Sequence, residues 1–183
     1  MTVFFIILAI VIVIAVWAIG VYNGLVKARN RAEEAESGID VHLNKRYDLI
    51  PNLVETVKGY AKHEEGTLGR VIEARNACIA AKGIDERDKA DNVLTGTLRS
   101  LFALAESYPD LKANTNFMEL QNSLNQVESE ILNARKYYNA TARTFNDKMM
   151  VFPANLIASC MGFRKLSYVD VADEKKENVK VQF

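Results

Sequence analysis

The sequence predicts an all-α protein: an N-terminal transmembrane helix followed by an elongated antiparallel helical bundle of three to four long helices. Three observations predict it. Met1 to Val26 carries no charged side chain. Beyond that stretch, apolar residues recur at gaps of three and four over long distances, the signature of one buried helix face. Nine Gly and three Pro are few for 183 residues, so the helices are long and the turns scarce.

The first element is the apolar stretch. A helix rises about 1.5 Å per residue, so residues 3–22 reach across roughly 30 Å, the hydrocarbon thickness of a bilayer. Val16-Trp17-Ala18 weakly resembles a signal-peptidase site. No basic residue precedes the core, however, and the apolar run exceeds a typical signal-peptide core, so a retained anchor over residues 1–26 is the reading. The first charges are Lys27, Arg29 and Arg31, all on the C-terminal flank. Positive flanks stay in the cytoplasm, which places a short N-terminus outside and the large domain inside, with a single pass. Trp17 and Tyr22 suit the inner headgroup zone, where an amphipathic ring keeps its polar tip wet.

About 155 residues follow the anchor, enough for one domain with its own core. Leu25, Ala28, Ala32, Ala35, Ile39, Leu43, Tyr47, Ile50, Val54, Val57 and Ala61 form a stripe that runs directly out of the anchor. Pro51 interrupts it; a proline inside a helix removes one hydrogen bond and crowds the preceding turn. A kinked or briefly broken helix is expected there, with Asp48 available to cap a fresh start. The helix then resumes through Leu53, Val57, Tyr60, Leu68, Val71, Ile72 and Ile79, weakened around His63 to Gly69. Residues 82–88 read as a turn with Gly83 as a C-cap. A next helix, opening near Asp88, buries Val93, Leu94, Leu98, Leu101, Phe102 and Ala105. Tyr108-Pro109-Asp110 ends or bends it. The clearest helix carries Phe117, Leu120, Leu124, Val127, Ile131, Ala134, Tyr138, Thr141, Phe145, Met149 and Phe152, and Pro153 stops it. A short helix over 154–161 ends at Gly162. The bundle thus occupies residues 27–163, and a flexible tail residues 164–183.

Charge and cysteine usage narrow the function. With 23 basic and 23 acidic residues the net charge is zero, which argues against general nucleic-acid binding, since that needs a basic surplus. Cys78 and Cys160 are far apart and suit neither a disulfide framework nor a cysteine zinc site. His63-Glu64-Glu65 opens like a zincin helix, but Thr67 stands where the second His belongs. No phosphate loop, nucleophile elbow or Cys–His signature occurs. No cofactor, metal or catalytic residue is therefore expected, and the chain reads as a non-enzyme.

Polar clusters remain: Lys45, Arg46 and Asp48 beside Pro51; Tyr108, Asp110, Lys112, Asn114 and Asn116; then Arg135, Tyr138 and Asn139. Arg46, Asp48, Tyr108, Asp110, Asn116, Arg135, Tyr138 and Asn139 are the candidate site. They either converge on a pocket that takes a partner or small ligand, or cap helix ends and satisfy buried groups. The stripes likewise either fill the bundle core or extend past it to pair copies into a homo-oligomer. At the C-terminus, Val179, Val181 and Phe183 alternate with polar residues, as in a docking peptide or a frayed end.

Several blocks resemble the LemA family of bacterial membrane proteins. They are Tyr22-Asn23-Gly24-Leu25-Val26, Arg29-Asn30, IDVHLNKRYDLIPNLVETVKGYAKHE from Ile39 to Glu64, Glu73-Ala74-Arg75 and YPDLKANTNFMELQ from Tyr108 to Gln121. Glu128, Ala134-Arg135, Tyr138-Asn139, Phe152-Pro153 and Phe163 complete the pattern. The chain departs from it at Glu36, where many relatives carry Trp, and at His42, where Gln is usual. The resemblance implies one N-terminal transmembrane helix and an antiparallel bundle facing the cytoplasm, and it implies no enzyme. Together these readings give a scaffold or adaptor at the inner face of a bacterial cytoplasmic membrane. It would bind the lipid bilayer, self-associate and present its bundle to a membrane-protein partner. A sensor of membrane or envelope stress and a small-ligand-binding protein are the alternatives.

Overall fold

A computed structural model describes residues 1–171 and is all-helical, with no strand among the described residues. The helices are α1 (Thr2–Tyr60), α2 (Glu65–Ala80), α3 (Ile84–Ala105), α4 (Pro109–Lys112), α5 (Thr115–Met150) and α6 (Ala154–Cys160).

α1 runs 59 residues without a break, so the apolar N-terminal stretch and the first core helix are one element. Residues 1–17 are exposed throughout, and the stretch is long and apolar enough to cross a membrane. From Leu25 onward the helix turns inward, and every member of the stripe from Leu25 to Val57 is buried.

Pro51 lies inside α1 and does not end it, so of the expected kink or brief break the break does not occur, and no fresh helix starts for Asp48 to cap. The reason is on a neighbouring helix. Proline removes the amide that would bond to the carbonyl four residues back, that of Tyr47. Arg75 of α2 fills the vacancy: its Nε donates to the Tyr47 carbonyl oxygen at 2.8 Å. The orphaned carbonyl is satisfied sideways, and the helix continues.

The chain breaks instead where continuation was expected. α1 ends at Tyr60, with the Ala61 amide donating to the Val57 carbonyl at 2.8 Å, and α2 begins at Glu65. α2 packs on α3 and on α1. Its buried face is Leu68, Val71, Ala74 and Cys78; Ile72, Ile79 and Tyr60, expected in the core, are exposed. Gly83 does not close α2. It stands at φ 77° just ahead of α3, a left-handed backbone that suits glycine. α3 opens at Ile84, with Asp85 and Glu86 in its first turn, where the helix dipole favours negative charge. Its buried face runs Asp91, Leu94, Leu98, Leu101 and Ala105, while Val93 is exposed.

α5 starts at an Asn114 cap, whose Oδ1 accepts the Phe117 amide at 2.9 Å. α1 packs along it, with Asn114 Nδ2 donating to the Tyr60 hydroxyl at 2.9 Å and His42 Nδ1 3.2 Å from Glu130. The core gathers Ile50, Leu53, Val57, Val71, Leu94, Leu101, Val127 and Ile131 from α1, α2, α3 and α5. α6 follows Pro153, packs on α1 and α5, and ends before Gly162 at φ 71°, as the pattern predicts. The chain does not leave the helices at Arg164: residues 164–171, expected in a flexible tail, run extended against α5.

Candidate functional site

Arg46 and Arg135 sit on different helices at positions that fall in the buried stripe, so their guanidinium groups enter the core. A buried charge is costly without a partner. The partner is Asp91 of α3, which the sequence reading did not single out. Arg46 Nη1 lies 3.0 and 3.2 Å from the two Asp91 carboxylate oxygens, and Arg135 Nη2 lies 3.0 Å from Oδ2. Arg46 also donates to Thr95 Oγ1 at 2.9 Å and pairs with Glu128 at 2.9 Å. Arg135 pairs with Asp88 at 2.8 Å.

Asp91 is 1 % exposed, so this ion cluster is interior, tying α1, α3 and α5 together at one level. Burial pushes the Asp91 carboxyl up from the usual range, against the opposing pull of Arg46 and Arg135. Beside the cluster, Arg46, Thr95, Arg99, Phe102, Asn125 and Glu128 help line a cleft of about 170 Å³.

Tyr138 and Asn139 serve a different structure. The extended chain after Arg164 needs partners for its backbone, and α5 supplies them from side chains. Asn139 exchanges two hydrogen bonds with Val169: its Nδ2 donates to the carbonyl at 2.9 Å and its Oδ1 accepts the amide at 3.0 Å. Asn146, also missed in the sequence, does the same with Leu166 at 3.0 and 2.9 Å. A carboxamide carries donor and acceptor side by side, as a peptide group does, so each Asn replaces a neighbouring strand. The Tyr138 hydroxyl donates to the Ser167 carbonyl at 3.0 Å. Burial, with the charges of Glu36 and Asp85 adding to it, pushes the Tyr138 phenol up to about 12. The Asp170 amide donates to Asp88 at 3.2 Å, which joins this strap to the ion cluster.

The remaining candidates do not converge. Asp48, Asp110 and Asn116 are exposed. Tyr108 donates to Glu64 at 3.1 Å and closes the turn between α1 and α2. Val179, Val181 and Phe183 lie outside the described residues. Among the described residues no group of His, Cys, Asp or Glu is placed to hold a metal ion. The arrangement binds the chain to itself; its two guanidiniums are held by carboxylates of the same chain.

The model of the LemA family matches residues 35–183, which contain the ion cluster, the strap and Pro51. The chain belongs to the LemA family. It is 23 % identical to Protein LemA of Metamycoplasma hominis over 184 aligned residues, covering 96 % of this chain and 82 % of that protein. It is 24 % identical to Magnetosome protein MamQ of Magnetospirillum gryphiswaldense and to Magnetosome protein MamQ 2 of Paramagnetospirillum magneticum. Each of these alignments takes in 80 % of this chain and 64 % of the magnetosome protein, so the chain spans less than two thirds of their length. Glu36 and His42, the two positions read from the sequence as departures from the family pattern, both bridge helices: Glu36 pairs with Arg87 at 2.8 Å, and His42 faces Glu130.

Proposed function

We propose that this protein is a membrane-anchored, non-enzymatic scaffold. Residues 3–22 cross the cytoplasmic membrane of a bacterium once, with the N-terminus outside. The remaining helices stand as an antiparallel bundle on the cytoplasmic face and are presented to a membrane-protein partner. The observation that carries this reading is α1: one helix passes from a fully exposed apolar segment into the centre of the core with no linker between them. A domain built on its own anchor in this way is held at a fixed position over the bilayer.

Two further features support it. The buried charges Arg46, Asp91 and Arg135 are paired with one another, which suits a frame better than a reaction centre. The names of the two magnetosome relatives specify a structure and no reaction. For self-association the apolar stripe gives no support, because this chain's own core takes it up from Leu25 to Val57. The contact between copies is instead through the anchor. There Gly20 and Gly24 lie one turn apart with open space beside each, and small residues let helices approach closely in lipid. Extraction of the intact complex in mild detergent tests the reading. A multi-copy assembly, or a stoichiometric second protein, is expected; a lone monomer from every mild detergent overturns it.

A sensor of membrane state is the second reading, and the continuity of α1 favours it too, since a tilt of the anchor reaches the core undamped. Exchange of residues 1–24 for an unrelated transmembrane helix separates the two. A scaffold keeps its function after the exchange, and a bilayer sensor does not.

A further inference from the structure

A second uncharged stretch lies late in the chain. From Met149 to Phe163 no charged side chain occurs, and this segment contains α6. Its inner face is packed: Ala158 is buried, and Ala154 and Ile157 are half-buried. The rest is bare. Met150, Val151, Phe152, Leu156 and Met161 are 57, 60, 75, 58 and 62 % exposed. Contiguous apolar surface of this kind on a folded domain marks a surface that something covers.

Its position says what covers it. Leu156, Ile157, Cys160 and Met161 face Ala18, Ile19 and Tyr22 of α1 across an apolar cleft of about 330 Å³. Phe163 packs its ring 6.0 Å from that of Tyr22. The bare face of α6 therefore continues the bare surface of the apolar N-terminal segment, at the end from which the charged domain begins. Basic residues bracket it: Lys148 before, Arg164 and Lys165 after, and Lys27, Arg29 and Arg31 just beyond Tyr22 on α1.

We infer that residues 150–161 form a second membrane contact, seated in the boundary between headgroups and acyl chains of the leaflet next to the domain. The cleft between α6 and α1 takes a lipid acyl chain. The inference rests on residues 3–22 crossing the bilayer. On that basis Ala18 to Tyr22 occupy roughly the last 6 Å of hydrocarbon, and interfacial helices seat their apolar faces about 5–10 Å into the same zone. Seven residues are too few to span, so α6 lies along the surface. The basic bracket favours anionic lipids. A second copy of the chain is the competing cover, but only the membrane continues from the anchor onto α6 without a change of environment.

The full-length chain in vesicles of phosphatidylcholine and phosphatidylglycerol tests this. Cys160 is exposed and Cys78 buried, so a thiol-reactive, polarity-sensitive fluorophore labels position 160 on the folded protein. Two Cys160→Ser variants carry the label elsewhere: Val11→Cys in the middle of the anchor and Asn122→Cys on the exposed face of α5. Vesicles with nitroxide-bearing acyl chains read depth by quenching. The label at 160 is expected to shift to the blue and to be quenched several-fold more than that at 122. Phe152→Glu combined with Leu156→Glu is expected to reduce that quenching while helicity is kept. Equal quenching at 160 and 122, with the label at 11 quenched, leaves the anchor standing and overturns the contact. A blue shift at 160 without quenching assigns the cover to protein and also overturns it. Absence of quenching at 11 removes the anchor reading, and the inference with it.

Discussion

Pro51 and Arg75 are coupled if the side chain of one replaces the missing amide of the other. Arg75→Ala strips the Tyr47 carbonyl of its 2.8 Å donor at a residue that is 5 % exposed. Loss of a hydrogen bond from a charged group costs about 1.5–3 kcal/mol. In a Pro51→Ala background the residue at 51 regains an N–H, one turn from the same carbonyl, and the helix's own bond forms. Arg75→Ala in that background is expected to cost less than about 1 kcal/mol, so the two substitutions couple by roughly 1–2 kcal/mol. The four proteins of the cycle, in mild detergent, are unfolded with urea and followed by helical circular dichroism. Additivity to within about 0.5 kcal/mol refutes the substitution of one donor for the other. The Asn76 side chain, 3.5 Å from Arg75 Nη1, is too distant to mask the result.

Three more outcomes are expected. Asp91→Ala leaves Arg46 and Arg135 short of their shared carboxylate in the interior and should cost about 3–5 kcal/mol in the same unfolding assay, with Asp91→Asn costing less. Asn139→Ala and Asn146→Ala release the strap; the Val169 and Leu166 amides should then exchange with deuterium many-fold faster, while the α5 amides keep their protection. Tyr138 has its phenol pushed up to about 12 in the folded protein, whereas an unfolded tyrosine ionises near the ordinary value of 10. Deprotonation thus favours the unfolded chain. Stability is full below pH 10 and falls as pH rises towards 12, a loss that Tyr138→Phe should reduce in alkaline unfolding curves followed by phenolate absorbance.

Much of the fold was legible because helix periodicity reports burial. The stripe from Leu25 to Val57 is buried where the three-four spacing put it, and the stripe from Phe117 is buried or half-buried as far as Met149, while Phe152, expected to close it, is exposed; Pro153 and Gly162 frame α6 as expected. The end of α1 was not legible, for a physical reason. Val57, Ala61, Leu68 and Val71 all face the core on both sides of the turn, so the apolar phase passes through a break in the helix without a signal. At Pro51 a kink or brief break was expected and no break occurs, because the group that satisfies the freed carbonyl comes from α2, 24 positions later. The site was half legible. Arg46 and Arg135 drew attention as members of two polar clusters, but their partner did not. The clue was there in α3, where Asp91 holds the core-facing place in the series Asp91, Leu94, Leu98, Leu101. Asn139 and Asn146 lie two turns apart on one face of α5, a spacing that marks the strap only once the chain beyond Arg164 is seen to lie there.

The unbroken α1 also fixes a length. Between Lys27 and Tyr60 the helix rises about 50 Å, so the α1–α2 turn, with Tyr108 and Asn114 against it, is carried at that height above the point where the apolar segment stops. No break in the helix intervenes between these two levels. With the apolar segment crossing a bilayer as proposed, a tilt of about 20°, ordinary for a membrane helix, would swing this tip sideways by roughly 17 Å. On the anchoring proposed above, α1 would act as a mast, and any partner meeting its tip would be selected by how far its own docking surface stands from the membrane.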